Sequence, residues 1–166
     1  LCELDSLFQQ YSTLCDDKNL NFSVYWQPTA WIFAHTDSKR ITQIISNLLS
    51  NAIKFTENGA IEIFVNIDSS HLSLTIRDSG IGMSESDINN IFKPYTQADS
   101  SISRTYGGTG LGMTIVKSFV ELFNGEITIN SALNQGTTVN VTLPINTSSA
   151  EGTTNRKIQT QFSQIN

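Results

Sequence analysis

Glycine is concentrated in one part of the chain, where it could create a site for an anion. Six of the ten glycines fall between positions 80 and 112. The later group, Gly107-Gly108-Thr109-Gly110-Leu111-Gly112, directly precedes a segment with helical periodicity. Backbone N–H groups at a helix N-terminus lack partners within the helix, and the helix dipole also favours negative charge there. Glycines are equally common in flexible loops that lead into helices, so the cluster alone leaves both interpretations open.

Asp78 adds a carboxylate that the pattern places inside the fold. It ends a segment of alternating residues, which puts it on the same inward face as Leu74 and Ile76. A buried carboxylate is costly unless it accepts hydrogen bonds. The donor is either the turn that begins at Asp78 or a ligand, for which the exocyclic amine of a purine is suitable. Thr137 begins another inward-facing alternation, and its hydroxyl could join Asp78.

A third group of polar residues follows one side of a helix. Asn47, Asn51 and Lys54 stand at positions i, i+4 and i+7, beside an apolar stripe that begins at Ile41. Polar residues on the flank of a helix usually only face solvent. Two amides and an ammonium group in register are also what a magnesium–triphosphate needs, since the cation prefers oxygen ligands and phosphate attracts positive charge.

The order of predicted elements indicates the fold class. Strands occur in adjacent pairs and helices lie between the pairs, which predicts an α+β, two-layer α/β sandwich with a mixed sheet of about five strands against about three helices. We expect Gly125 to end the last helix. The predicted helices cover 1–16, 37–55 and 84–92, and a last helix is marked by apolar residues from Ile115 to Phe123. The predicted strands cover 20–26, 30–34, 61–67, 72–78, 126–131 and 137–143.

Composition divides the chain into a domain and a tail. The 166 residues suffice for one domain, which we place at 1–145. Of the 21 residues from Asn146 to Asn166, 13 are Ser, Thr, Asn or Gln. Such a segment buries too little apolar surface to order itself, so we predict a flexible linker or tail at 146–166.

Charge and hydropathy exclude several functions. Ten basic against fifteen acidic residues give a net charge of −5, and no basic cluster exists, so we expect no nucleic-acid partner. No apolar run approaches the ~18 residues of a membrane span and no signal peptide opens the chain, so we expect no membrane contact. His35 and His71 lack partners at metal or triad spacing.

Four segments in series resemble the N, G1, F and G2 boxes of sensor histidine kinases. They occur in the family's order, with similar gaps, between about residues 5 and 145. The last two also resemble the hybrid subgroup, which carries receiver domains. The segments are Asn47-Leu-Leu-Ser-Asn51-Ala-Ile-Lys54-Phe-Thr, Asp78-Ser-Gly-Ile-Gly-Met, Ile91-Phe-Lys-Pro-Tyr95-Thr-Gln-Ala-Asp99 and Tyr106-Gly-Gly108-Thr-Gly-Leu-Gly112.

The resemblance implies a Bergerat-type ATP-binding fold, as in the gyrase, chaperone, histidine kinase and MutL superfamily, and assigns roles to the residues above. Asp78 would bind the adenine amine, Gly80 and Gly82 would shape its pocket, and Thr137 would assist through water. In the predicted helix, Asn51 would hold Mg²⁺, while Asn47 and Lys54 would act on the triphosphate.

The same resemblance implies a lid over the phosphates from about Lys93 to Tyr106. Arg104 would contact the γ-phosphate. The remaining cofactor-binding residues would be Tyr106, Gly108, Thr109, Gly110, Leu111 and Gly112, with the glycines cradling phosphate through the backbone.

The implied function is transfer of the ATP γ-phosphate to a histidine on a separate helical dimerisation domain, and from there to a response-regulator receiver domain. Neither His35 nor His71 lies in a context suited to the acceptor. The implied location is the cytoplasm, with the parent protein anchored in the inner membrane.

Two other functions stay open at this point. A superfamily ATPase, such as gyrase or MutL, places a glutamate where Asn47 stands, and an amide cannot take a proton from water. A regulatory module would bind nucleotide without kinase activity. The intact motifs argue against it, but only phosphoryl transfer separates the two.

Overall fold

The computed structural model describes residues 2–28, 32–35, 37–68, 70–94 and 110–149. Helices and strands follow one another in the predicted order. They are α1 (Cys2–Asp16), β1 (Asn21–Pro28), β2 (Ile32–His35), α2 (Ser38–Phe55), β3 (Ala60–Ile67), β4 (His71–Asp78), α3 (Glu85–Asn90), α4 (Gly112–Leu122), β5 (Glu126–Ser131), β6 (Thr137–Pro144) and β7 (Asn146–Ser149).

The main sheet has five strands in the order β1-β3-β4-β6-β5. β1 and β3 are parallel, whereas every other neighbouring pair in this sheet is antiparallel. The helices lie against one face of the sheet. The predicted mixed sheet in a two-layer α/β sandwich is therefore confirmed.

A second sheet changes the prediction at the end of the chain. β7 pairs antiparallel with β2, so residues 146–149, which composition assigned to the tail, form a strand. This polar segment has no apolar side chains to bury, so the backbone hydrogen bonds to β2 are what stabilise it as a strand. The ordered chain thus continues at least four residues past the predicted boundary, and 150–166 lie outside the described residues.

Helix α2 forms as its sequence predicts. Asp37 caps its start, because the Asp37 side chain accepts a hydrogen bond from the Arg40 N–H. One stripe of the helix is buried in the core and the flank beside it carries polar residues. The buried residues are Ile41, Ile44, Ile45, Leu48, Leu49, Ala52 and Ile53.

The hairpin of β3 and β4 has one buried face, as its alternation predicts. Ile61, Ile63 and Val65 on β3 pack with Leu74 and Ile76 on β4 beneath the helices. This alternation fixes which way Asp78 faces at the end of β4.

Helix α4 ends differently from the prediction. The residue in the left-handed conformation is Asn124 (φ 55°), and Gly125 follows it. The Gly125 N–H donates to the Val120 carbonyl over 2.9 Å. A Cβ at Gly125 would overlap the carbonyl of Thr142, so glycine is needed there because β6 passes close by.

No helix within the described ranges is long and apolar enough to cross a bilayer.

Candidate functional site

Asp78 is the last residue of β4, which is the central strand of the five-stranded sheet, and its side chain lies on the same face as the buried residues of β4. Its Oδ1 accepts hydrogen bonds from the Gly80 N–H (2.9 Å) and the Thr137 N–H (3.2 Å). The turn therefore supplies donors, which is one of the two possibilities that the sequence left open. Both bonds use the same oxygen, and none of the described residues bonds Oδ2. One carboxylate oxygen is thus committed to the fold while the other stays available to a ligand.

The electrostatics of Asp78 point the same way. Burial raises the pKa of its carboxyl above the ordinary value, and the hydrogen bonds from Gly80 and Thr137 offset this only in part. The ionised group therefore retains a net desolvation penalty in the folded chain. A donor brought by a ligand would reduce that penalty.

The loop after β4 is held between two other elements. The Ile81 N–H donates to the Phe55 carbonyl at the end of α2 (3.1 Å), and the Ile81 carbonyl accepts from the Asn134 N–H (2.7 Å). A Cβ at Gly80 would overlap the Phe55 carbonyl, and one at Gly82, which has φ +65°, would overlap the carbonyl of Ala132. Both predicted glycines are therefore required by close backbone approach.

Ser131 belongs to this site, although the sequence reasoning missed it. Its Oγ accepts from the Met83 N–H, donates to the Gly136 carbonyl and lies within hydrogen-bond distance of Thr137 Oγ1, each at 2.9 Å. The signal was present, because the Asn-Gln-Gly turn fixes a register in which Ser131 pairs with Thr137.

Thr137 contacts Asp78 differently from the expectation. Its backbone N–H reaches the carboxylate, while its hydroxyl is engaged with Ser131. The two threonine groups point to different partners because a strand holds the N–H in the sheet plane and the side chain out of it.

The polar flank of α2 meets the start of α4. Asn47 Nδ2 donates to the Gln43 carbonyl over 3.0 Å, which fixes the amide plane. Its Oδ1 lies 3.5 Å from the place where a Cβ on Gly112 would stand. Asn51 is half-buried one turn further along. The structure therefore brings Asn47 and Gly112 together.

Lys54 lies at the end of the same helix. Its Nζ is 4.7 Å from the centre of the Phe55 ring, and burial lowers the pKa of the ammonium group. Lys54 lines an open groove of about 580 Å³, together with Tyr11 of α1 and Lys18 in the turn after α1.

The glycine cluster is described only in its last part. Gly110 has φ +68°, Leu111 accepts from the Ile115 N–H, and α4 begins at Gly112 without a side-chain cap. The first turn of α4 thus presents backbone N–H groups beside Asn47. Arg104, Tyr106, Gly108 and Thr109 lie outside the described residues.

Comparison with known proteins defines the class. Residues 36–147 match the family described as histidine kinase-, DNA gyrase B-, and HSP90-like ATPase, and the chain belongs to this family. Its relatives include named sensor kinases. It is 42% identical over 148 residues to the autoinducer 2 sensor kinase/phosphatase LuxQ of Vibrio vulnificus and 32% identical over 142 residues to the sensor histidine kinase RcsC of Escherichia coli.

These alignments cover 86% of this chain but only 17% and 15% of the two relatives, so the chain spans less than a fifth of their length. Solved structures agree. Full-length ShkA in complex with AMPPNP superposes with a TM-score of 0.69 at 25% identity, over 89% of this chain and 31% of that one. The catalytic domain of the histidine kinase ThkA gives 0.68 at 26%, over 86% and 93%. The predicted fold and family resemblance are confirmed.

Proposed function

We propose that this chain is the ATP-binding catalytic domain of a sensor histidine kinase, which transfers the ATP γ-phosphate to a histidine on a separate dimerisation domain. The observation that carries the proposal is Asp78, a half-buried carboxylate with one oxygen left for a ligand donor. Membership of a family of ATPases and similarity to an AMPPNP-bound kinase support it.

The purine end of the site consists of Asp78, Thr137 and the loop around Gly80 and Gly82. Asp78 accepts a hydrogen bond from the exocyclic amine, a charge-assisted bond that is stronger than a neutral one. The loop is held by hydrogen bonds to α2 and to the β5–β6 turn, which supports a base-binding loop that is fixed before the nucleotide arrives.

The phosphate end is formed by α2 and the start of α4. The amide oxygens of Asn47 and Asn51 suit Mg²⁺, and Gly112 leaves the space beside Asn47 without a side chain. We assign magnesium to Asn51, the triphosphate to Asn47 and Lys54, and phosphate oxygens to the N–H groups of Gly110, Leu111 and Gly112. When bound, Mg-ATP supplies the phosphoryl group.

Residues before Gly110 complete the proposed nucleotide site. Arg104 takes the γ-phosphate, and Tyr106, Gly108 and Thr109 take part in nucleotide binding. Phosphoryl transfer needs chiefly positioning and stabilisation of charge, so the nucleophile can come from another domain. Asn47 has no proton-accepting group for water, which favours transfer to histidine over hydrolysis.

The partners follow from this chemistry. We propose a helical dimerisation domain that carries the acceptor histidine and a receiver domain that takes the phosphoryl group next. The relatives are sensor kinases much longer than this chain, which supports the presence of further domains in the parent protein. We place this domain in the cytoplasm, in a parent anchored in the inner membrane, and assign the polar residues beyond 149 to a linker or tail on composition.

Phosphoryl transfer tests the proposal. The 166-residue chain is incubated with Mg-ATP labelled at the γ-phosphate, with and without the dimerisation hairpin of its parent kinase. We expect label on the hairpin histidine only, and none when Asn51 is changed to Asp, since the new carboxylate alters the charge around Mg²⁺.

Other results identify the alternatives. Rapid release of free phosphate without the hairpin would show an ATPase. Nucleotide binding with no transfer to the hairpin would show a regulatory module. Label on His35 or His71 would contradict a separate acceptor.

A further inference from the structure

Three side chains form a row across three neighbouring strands. Asp78 on β4 pairs with Thr137 on β6, which in turn pairs with Ser131 at the end of β5. Directly paired residues place their side chains on the same face of a sheet, so all three belong to the floor of the proposed purine site. Only Ser131 in this row has no assigned role.

Counting protons fixes the direction of each hydrogen bond in the row. A serine hydroxyl has one proton to donate and can accept two bonds. A carbonyl oxygen can only accept, so the Ser131 proton goes to Gly136. Ser131 Oγ then accepts from the Met83 N–H. The contact with Thr137 is therefore one in which Thr137 Oγ1 donates and Ser131 accepts.

This direction determines what Thr137 offers a ligand. Its single proton is used on Ser131, which leaves only lone pairs on Oγ1. The Asp78 carboxylate, when ionised, also only accepts. The floor of the site thus presents acceptors to the edge of a purine, which matches a base that carries an amine and opposes a base that carries a carbonyl at the same position.

We propose that Ser131 is a specificity-determining residue, which selects adenine over 6-oxopurines by holding the Thr137 hydroxyl as an acceptor. The proposal rests on the proposed function, because it concerns the base bound at Asp78. Without the Ser131 oxygen, the Thr137 hydroxyl is free to rotate and to donate to a purine carbonyl. Removing Ser131 therefore weakens the preference for the amine.

The test compares Mg-ATP with Mg-ITP, whose bases differ at the group that faces the floor. Calorimetry gives the two dissociation constants for the 166-residue chain and for Ser131→Ala. We expect the wild type to prefer ATP and the preference to fall about tenfold in Ser131→Ala, the size of effect given by one hydrogen bond to a half-buried group. Ser131→Thr keeps the oxygen and should keep the preference.

Two further variants separate specificity from general loosening of the sheet. Thr75→Val removes a cross-strand hydrogen bond to Asn140 on the opposite face of the same strands and should leave the ATP/ITP ratio unchanged. In a Thr137→Val background, Ser131→Ala should have no further effect on the ratio, because Ser131 acts through the Thr137 hydroxyl.

The outcomes are distinct. If the wild type binds ATP selectively and Ser131→Ala keeps that ratio, the role of Ser131 is wrong and the proposed function stands. An equal loss in Thr75→Val, or a full additional loss in the Thr137→Val background, would also overturn the role of Ser131. If the wild type fails to bind ATP, the proposed function itself fails.

Discussion

Asp78 and Thr137 are direct partners across β4 and β6, and the Thr137 N–H donates to Asp78 Oδ1 over 3.2 Å. Asp78 is the last residue of β4 and Thr137 is the first residue of β6, so the bond would be lost if either strand were one residue shorter at this end. The bond ties the carboxylate to the backbone of the next strand, so its position is set by the register of the sheet rather than by a flexible rotamer. Oδ2, the oxygen that we propose binds the ligand, is thereby held in place.

Changing Asp78 to Asn should separate binding from stability. We expect ATP affinity to fall at least tenfold, because the adenine amine loses a charged acceptor and such bonds contribute ~1.5–3 kcal/mol. The unliganded chain should be as stable as the wild type or more stable, since an amide oxygen still accepts from Gly80 and Thr137 without the desolvation penalty of a charge. Calorimetry and urea unfolding measure the two quantities.

A matched control is Glu62→Gln, which neutralises a carboxylate paired with Arg77 on the outer side of the sheet. Its effect on ATP affinity should be negligible. Equal affinities for Asp78→Asn and the wild type would remove Asp78 from the site.

The stability difference between wild type and Asp78→Asn should depend on pH. Burial raises the pKa of Asp78 above the usual 3.8, so the folded chain favours the protonated acid. This contribution to stability is complete below the unfolded pKa and is lost as pH rises through the folded pKa. The advantage of the Asn variant should therefore grow above pH 3.8. A constant difference from acid to neutral pH would contradict the desolvation of this carboxylate.

Saturating Mg-ATP should stabilise the fold. A ligand at ~100 times its dissociation constant adds about 2.7 kcal/mol to the native state, which corresponds to a rise of several degrees in Tm. Thermal unfolding with and without nucleotide measures this, and Asp78→Asn at the same concentration should show a smaller rise. An unmoved transition in the wild type at millimolar Mg-ATP would contradict nucleotide binding.

Substitutions at two glycines should affect different quantities, the stability of the unliganded chain in one case and the affinity for ATP in the other. Gly82→Ala should destabilise the unliganded chain by about 1–3 kcal/mol, since φ is +65° and the new Cβ would overlap the Ala132 carbonyl. Gly112→Ala should fold normally, because its Cβ would meet Asn47 at an ordinary distance of 3.5 Å. That methyl would occupy space beside Asn47, so ATP affinity should fall. Unfolding in urea and calorimetry together distinguish the two effects.

Cys15 should report on opening of the core. It is fully buried, and burial, reinforced by Asp16, raises the pKa of its thiol from 9.0 to about 11, although Lys18 acts in the opposite direction. In a Cys2→Ser variant, alkylation by iodoacetamide at pH 8 should be slow in the folded chain and fast in urea. Stability should also decline between pH 9 and 11, as the raised pKa is passed. Fast labelling of the folded chain would contradict the packing of α1.

Local sequence patterns were sufficient for every helix and strand except β7, and for the direction in which Asp78 faces. The stripe of α2 and the alternation of β4 each depend on neighbours in the chain, so periodicity alone placed them correctly. Ser131 was missed although the Asn-Gln-Gly turn gave a local sign of its pairing with Thr137. Its third partner, Met83, comes from a distant segment, and only the folded sheet brings that N–H to Ser131.

The other differences have the same origin. Asn and Gly both adopt the left-handed conformation, so the sequence did not show whether Asn124 or Gly125 would do so at the end of α4. Glycine is needed at 125 for a different reason, the close approach of β6. The β2–β7 pair joins segments more than a hundred residues apart in the chain. Polar composition described the residues of β7 correctly, but it gave no information about a pairing partner.

The bond from the Ile81 N–H to the Phe55 carbonyl joins the two ends of the proposed site. Phe55 is the last residue of the helix that carries the phosphate-side amides, and Ile81 lies in the loop that shapes the purine pocket. A tilt of α2 would therefore also move the loop around Ile81, because this hydrogen bond joins them. If base and triphosphate bind as proposed, this bond couples the two ends, and a nucleotide that fits at one end only would strain the other.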